Sequence, residues 1–265
     1  MEKIQFNKDN IVYPFDVEGK ESIIYLYRDL NVYGQDVLLK YFRDTNTEQI
    51  INDLYKQTFD WESYIKYTGR IISDKTLENK RKKLEIIPSI PELSDEVNIL
   101  DSIYCNDSFK GYTMDKEYLK PIPDDMKKKK RIQYLKILRE KIRKLNECGI
   151  YIGDFNSKNF LASDDLSIVK LCDLDNMKYG DLDFDTKHIF IQYYETKNIN
   201  KEFIDSFCFN MYTIALLNDI AYDISDILNS GLPKVLNSKE NRDIFDSMFY
   251  LDSSYQYKFL IDNLR

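Results

Sequence analysis

At 265 residues, with 43% apolar and 31% charged side chains, the chain can bury a sizeable core without disulfides or a structural metal. A formal net charge of −7 argues against a whole-surface nucleic-acid binder, whose affinity would come from neutralising phosphates. No run approaches the roughly 18 apolar residues of a membrane span, the first ten residues are polar rather than signal-like, and four scattered cysteines with one histidine form no zinc pattern; a reduced, cytoplasmic protein is expected.

The β-branched and aromatic runs 11–13 and 23–27 read as strands joined by a turn at Glu18-Gly19-Lys20. A third strand, 36–42, follows the turn Tyr33-Gly34-Gln35. Residues 45–59 fit an amphipathic helix with Ile50, Ile51, Leu54 and Tyr55 on one face, whereas 61–72 fits either helix or strand. A charged helix is predicted over 75–87, with Leu77, Leu84 and Ile87 on one side and Pro88 and Pro91 ending it. Two more strands, 97–104 and 109–114, flank an Asn106-Asp107 turn. Pro121 and Pro123 then break the chain.

Beyond that break Ile132, Leu135, Leu138, Ile142 and Leu145 step by three or four, which predicts a helix over 125–148 with Gly149 at its C-cap. The run Lys127-Lys128-Lys129-Lys130-Arg131 reads as the solvated first turn of that helix. A polar loop, short strands at 160–162 and 168–172, and further helices complete the chain. The plan is α+β, with a five-stranded antiparallel sheet plus helix in 1–115 and a mainly helical 116–265.

Chemistry concentrates between Gly149 and Asp175. Tyr151-Ile152-Gly153-Asp154 runs into Phe155-Asn156-Ser157-Lys158-Asn159, and 19 residues after Asp154 a strand end delivers Asp173-Leu174-Asp175. Here the sequence resembles the protein kinase superfamily. Asp154 to Asn159 has the D-x-x-x-x-N spacing of its catalytic loop, and Asp173-Leu174-Asp175 falls where the D-F-G segment belongs. Val37-Leu38-Leu39-Lys40 resembles the V-A-I-K strand. Ile204 to Phe209 resembles the start of the large C-lobe helix, whose aspartate, here Asp205, braces the catalytic-loop backbone. Several departures are similar to atypical bacterial members and aminoglycoside phosphotransferases: Tyr-Ile-Gly-Asp for His-Arg-Asp, Asn156 for the usual lysine, Asp-Leu-Asp for Asp-Phe-Gly, and few glycines over the phosphates.

The resemblance implies a two-lobed kinase-like fold and a phosphotransferase using ATP and Mg²⁺. Asp154 would accept or orient the proton of the attacking hydroxyl. Asn159 and Asp173 would hold Mg²⁺, which prefers hard oxygen ligands. Lys40, Glu78, Gly19 and Met114 would serve nucleotide binding, with Glu78 as the partner of Lys40, Glu85 as its alternative and Glu62 as a remoter one. The expected acceptor is a Ser/Thr hydroxyl of protein. A small-molecule hydroxyl, with the acidic run Asp181, Asp183 and Asp185 facing a cationic substrate, stays open, as does a catalytically inactive nucleotide-binding pseudokinase. Neither nucleic acid nor membrane is an expected partner. Gly19-Lys20-Glu21-Ser22 lacks the earlier glycine of a P-loop, and the acidic runs lack the glycine and distal glutamate of a calcium loop.

Overall fold

A computed structural model describes residues 1–16, 21–43, 72–96, 99–116, 119–121, 126–185, 189–195, 201–250 and 258–264. The turn containing Gly19, the helix expected over 45–59 and the ambiguous stretch carrying Glu62 lie outside these residues. The chain divides into two compact units, Met1–Tyr118 and Leu119–Arg265.

Among the described residues six strands build the first unit: β1 (Lys3–Gln5), β2 (Ile11–Asp16), β3 (Ser22–Arg28), β4 (Asp36–Phe42), β5 (Ile99–Cys105) and β6 (Ser108–Met114). They lie in the order β1-β5-β6-β4-β3-β2. Every neighbouring pair is antiparallel except β1, which runs parallel to β5 with Ile4 opposite Ile103. The sheet is therefore six-stranded and mixed, not the five-stranded antiparallel sheet expected. β1 escapes a sequence reading because its three residues carry one apolar side chain, and its ladder partner lies about a hundred positions away. What holds it is burial: Ile4 and Phe6 pack on the cluster of Ile23, Tyr25, Tyr27, Val37, Leu39, Tyr41 and Ile103.

That cluster alternates along β3 and β4, as the two-residue period of a strand requires. The opposite face carries Lys40 and Phe42 and receives α1 (Asp74–Ile86). Ser73 caps α1 by accepting the Thr76 N–H at 3.3 Å, while Leu77, Lys80, Lys83 and Leu84 are buried. Between β5 and β6, Asn106 and Asp107 both take positive φ (48° and 63°), the signature of a tight hairpin turn. Gly111 on β6 has a steric reason of its own: a Cβ there would lie 2.1 Å from the Lys40 carbonyl oxygen, so only glycine lets β6 approach β4 at that point. Among the described residues β2 is an edge of the sheet, and it shifts register twice against β3, between Ile11 and Tyr13 and again between Pro14 and Asp16. Val12, Tyr13 and Phe15 are exposed there.

The second unit is mainly helical. α2 (Lys128–Glu147) leads to β8 (Ile150–Tyr151), the hairpin β9 (Phe160–Ala162) and β10 (Val169–Leu171), β11 (Lys178–Tyr179), and then α3 (Ile189–Glu195), α4 (Ile204–Asn218), α5 (Ile224–Ser230) and α6 (Lys239–Tyr250). β7 (Lys120–Pro121) adds to the hairpin through β9, and β11 pairs with β8. Lysines at the N-terminus of α2 oppose its dipole, and among the described residues no side chain caps it. Packing of its buried stripe, Tyr134, Leu135, Leu138, Ile142 and Leu145, holds the helix instead.

The basic run is not wholly a solvated turn. Lys130 donates to the Asp164 carbonyl. Arg131 is buried and donates to the Leu216 carbonyl at 2.7 Å and to the Asp219 carboxylate, where α4 ends in a left-handed residue. α4 is buried along almost its whole length, and its Asn210 is tied to the Lys258 carbonyl and the Leu260 N–H. Among the described residues no helix is long and apolar enough to cross a membrane.

Candidate functional site

The loop that follows β8 is built from the inside out. Asp205 on α4 is completely buried. Its Oδ1 accepts the Gly153 N–H at 2.8 Å, and its Oδ2 accepts the Ile152 N–H at 2.9 Å and the Asn146 amide at 2.7 Å. This is the bracing contact expected of that aspartate. Burial pushes the Asp205 carboxyl up to about 6, against the opposing pull of the three donors, so it is a carboxylate at neutral pH.

Gly153 has φ of 70°, and a Cβ on it would meet Ile191 Cδ1 and Phe184 Cε1, each at 2.7 Å. The residue before Asp154 is thus glycine both for its backbone and for its space. Phe155 points inward, stacked on Phe160 at 5.9 Å between ring centroids and edge-on to Phe209. With Ile152 and Phe155 buried, the half-buried Asp154 and Asn156 are left to the polar side of the loop.

That side is ordered by local hydrogen bonds. Asn156 Nδ2 donates to Asp154 Oδ1 at 3.2 Å, while its Oδ1 accepts the Lys158 N–H at 2.9 Å. Asn159 Nδ2 donates to the Asp154 backbone carbonyl at 3.2 Å, which leaves Oδ1 as the end of that side chain able to ligate a cation. The Asn159 carbonyl accepts the Cys172 N–H at 3.0 Å and the Lys158 carbonyl accepts the Cys172 thiol at 3.2 Å, so the loop is laced to the residue before Asp173. Asp173 itself takes a left-handed conformation (φ 62°, ψ 39°), which aspartate tolerates better than most residues. A 3₁₀ turn, Leu174–Asn176, follows with Asp175 and Asn176 buried.

Asp154, Asn159 and Asp173 line one small cavity, with Cys172, Asn176 and Met177 on its wall. Spacing in the sequence singles out the first three and misses the rest. Cys172, Asn176 and Met177 carry no spacing signal, and Asn156 stands out only as a departure from a lysine. The Asn156-Ser157-Lys158 order, which favours an asparagine-capped turn, is the signal available for it.

The first unit carries the remaining predicted residues. Lys40 is 9% exposed, with its Nζ 5.7 Å from the centroid of Phe42 and 5.8 Å from that of Tyr112. Lys80 flanks Phe42 from α1 at 5.3 Å and pairs with Glu21 at 3.6 Å. Glu78 does not take the expected place. Among the described residues its ion partners are Arg81 at 2.7 Å and Lys82 at 3.7 Å, and the pairing with Lys40 is not formed. Glu85 also binds Arg81. The reason is the rotation of α1: Leu77, Lys80 and Leu84 are buried, while Glu78 and Glu85 share an exposed face with Arg81 between them. Met114 is buried at the end of β6, opposite Leu38 and Ile99. In the acidic run, Asp183 pairs with Lys178 at 3.8 Å and accepts the Phe184 N–H at 3.0 Å.

No protein-family model matches the chain, and no curated protein matches it.

Proposed function

We propose that the chain is a Mg²⁺- and ATP-dependent phosphotransferase that moves the γ-phosphoryl group to a Ser or Thr hydroxyl of protein. One observation carries the reading: two carboxylates and an amide oxygen of the expected types, Asp154, Asp173 and Asn159, line the same cavity. The loop bearing two of them is fixed from beneath by a buried carboxylate. Phosphoryl transfer asks for little beyond such positioning and charge neutralisation.

Asp154 takes the proton of the acceptor hydroxyl as its oxygen forms the new bond to phosphorus, the bond to the bridging oxygen breaks, and ADP leaves. General-base assistance of this kind is worth roughly 10² to 10⁴ in rate. Asp173 and Asn159 Oδ1 are the donors for Mg²⁺. Among the described residues no three His, Cys, Asp or Glu side chains are grouped to cage a metal. Mg²⁺ keeps several waters and takes most of its remaining ligands from phosphate oxygens, so two protein donors are enough. When bound, Mg²⁺ neutralises charge on the transferring group. Lys40, buried among aromatic rings, is the cation for the nucleotide phosphates.

The test is transfer of label from γ-labelled Mg-ATP, with Asp154→Ala beside the wild type. The acceptors are the protein itself, a generic protein and a panel of aminoglycosides. Label on protein that disappears in the variant supports the reading. Label confined to a small molecule corrects the acceptor. Nucleotide binding without any transfer identifies a pseudokinase, and the absence of both overturns the assignment.

A further inference from the structure

We infer that Asn156 is a positioning residue for Asp154, an inference that rests on the phosphotransferase reading for its purpose but not for its geometry. The two polar ends of the Asn156 side chain are spoken for separately. Its Oδ1 accepts the Lys158 N–H at 2.9 Å, and this fixes which way the amide faces, because an N–H cannot be satisfied by the NH₂ end. The NH₂ end therefore points to Asp154 Oδ1, 3.2 Å away. The loop thus holds a rigid relay: Lys158 backbone to Asn156 amide to Asp154 carboxylate.

Three consequences follow for Asp154. One carboxylate oxygen is occupied, so the other, Oδ2, is the oxygen presented to an acceptor hydroxyl. The carboxylate plane is set by a partner two residues away on the same loop, and that loop is anchored below through Gly153 to Asp205 and beside it through Asn159 to Cys172. The donor is also uncharged. It orients the carboxylate without forming an ion pair with it, whereas a lysine at this position would bring a full positive charge into the same space. Neutralisation of the transferring group then falls to groups other than this loop position.

Two functions of Asn156, capping the 157–159 turn and donating to Asp154, can be separated by substitution. Asn156→Asp keeps an oxygen for the Lys158 N–H, so the cap survives, but it replaces the donor with a second carboxylate facing Asp154. Asn156→Ala removes both. The experiment measures kcat and nucleotide affinity for wild type and both variants. It also records the Asn156 side-chain amide signals by ¹⁵N-resolved NMR in wild type, Asp154→Ala and Asp154→Asn.

The expected result is that Asn156→Asp loses kcat at least as severely as Asn156→Ala, on the order of 10²-fold for a misaligned reacting group. Nucleotide affinity should be unchanged in both, and an Asn156 N–H signal should move upfield when Asp154 is replaced by alanine. Wild-type kcat in Asn156→Asp together with loss in Asn156→Ala would reduce Asn156 to a turn cap and overturn the inference. An Asn156 amide signal indifferent to both Asp154 variants would overturn it as well. A wild type that transfers no phosphate, but whose Asn156 signal still answers to Asp154, supports the positioning contact and fails only the phosphotransferase reading.

Discussion

The carboxylate of Asp205, with no exposed surface, accepts the backbone N–H of Gly153 at 2.8 Å, and so a residue 52 positions along the chain fixes the peptide that leads into Asp154. Its second oxygen holds Ile152 and Asn146. The end of α2, the loop and α4 meet at this one buried charge.

Titration of that charge has a definite sign. Burial raises the Asp205 carboxyl from an ordinary 3.8 to about 6 in the folded protein, so the folded state holds the proton more tightly than the unfolded chain does. The contribution to stability is fully present below about 3.8 and is lost as pH rises through about 6. The shift corresponds to roughly 3 kcal/mol by the usual conversion. Asp205→Asn abolishes this component. The difference in unfolding free energy between wild type and variant, measured by denaturant at a series of pH values, should change across that window and be flat above about pH 7. A difference independent of pH would remove Asp205 as the titrating group.

Glycine requirements at two sites of positive φ separate backbone strain from crowding. At Gly149 (φ 74°) nothing lies within 4 Å of the place a β-carbon would occupy, whereas a β-carbon on Gly153 would be driven against Ile191 and Phe184. Gly149→Ala should cost about 1 kcal/mol, the conformational penalty alone. Gly153→Ala should cost more, by roughly another 1 to 3 kcal/mol for overpacking, and should lower phosphoryl transfer through displacement of Asp154. Equal costs in chemical denaturation would show that Phe184 and Ile191 yield freely.

Asp154→Ala should leave Mg-nucleotide affinity within about twofold of wild type and reduce transfer by roughly 10² to 10⁴. Asp173→Ala should weaken Mg-dependent nucleotide binding itself. Isothermal titration with and without Mg²⁺, run beside single-turnover transfer, tells the two apart. Identical behaviour of both variants and wild type would remove this cavity as the site.

Glu78→Ala should leave nucleotide affinity unchanged, because Glu78 is engaged by Arg81 and Lys82 on an exposed face. The loss in stability should be that of a surface ion pair, about 0.2 to 1 kcal/mol. Lys40→Ala should weaken nucleotide binding clearly. A Glu78 variant with impaired nucleotide binding would mean that this carboxylate serves the nucleotide in spite of its partners.

Much of the secondary structure is legible in the sequence because the relevant signals are local. The apolar steps from Ile132 to Leu145 mark α2, the turn at Asn106-Asp107 separates β5 from β6, and Leu77, Leu84 and the prolines Pro88 and Pro91 mark α1 and its end. The loop residues Asp154 and Asn159 and the strand-end Asp173 are legible from spacing, and they do share a cavity. What escapes depends on distance or on rotation. β1 is a strand only because β5 lies beside it, Arg131 is buried only because α4 ends against it, and the partner of Glu78 follows from which face of α1 meets the sheet. Both Glu78 and Glu85 satisfy the spacing, and neither turns inward.

Among the described residues β2 is an edge of the sheet, and this has a bearing on how the protein behaves in crowded solution. Val12, Tyr13 and Phe15 are exposed on it, which would ordinarily invite another chain to add a strand and begin a fibril or an amorphous aggregate. Pro14 offers no N–H in the middle of that stretch, and the two shifts of register break the regular ladder on either side of it. A foreign strand would find sticky side chains but no continuous row of hydrogen bonds to template on. Relieving that interruption, as Pro14→Val would, turns the same edge into a nucleus for self-association, visible as growth of light scattering at concentrations where the wild type stays clear.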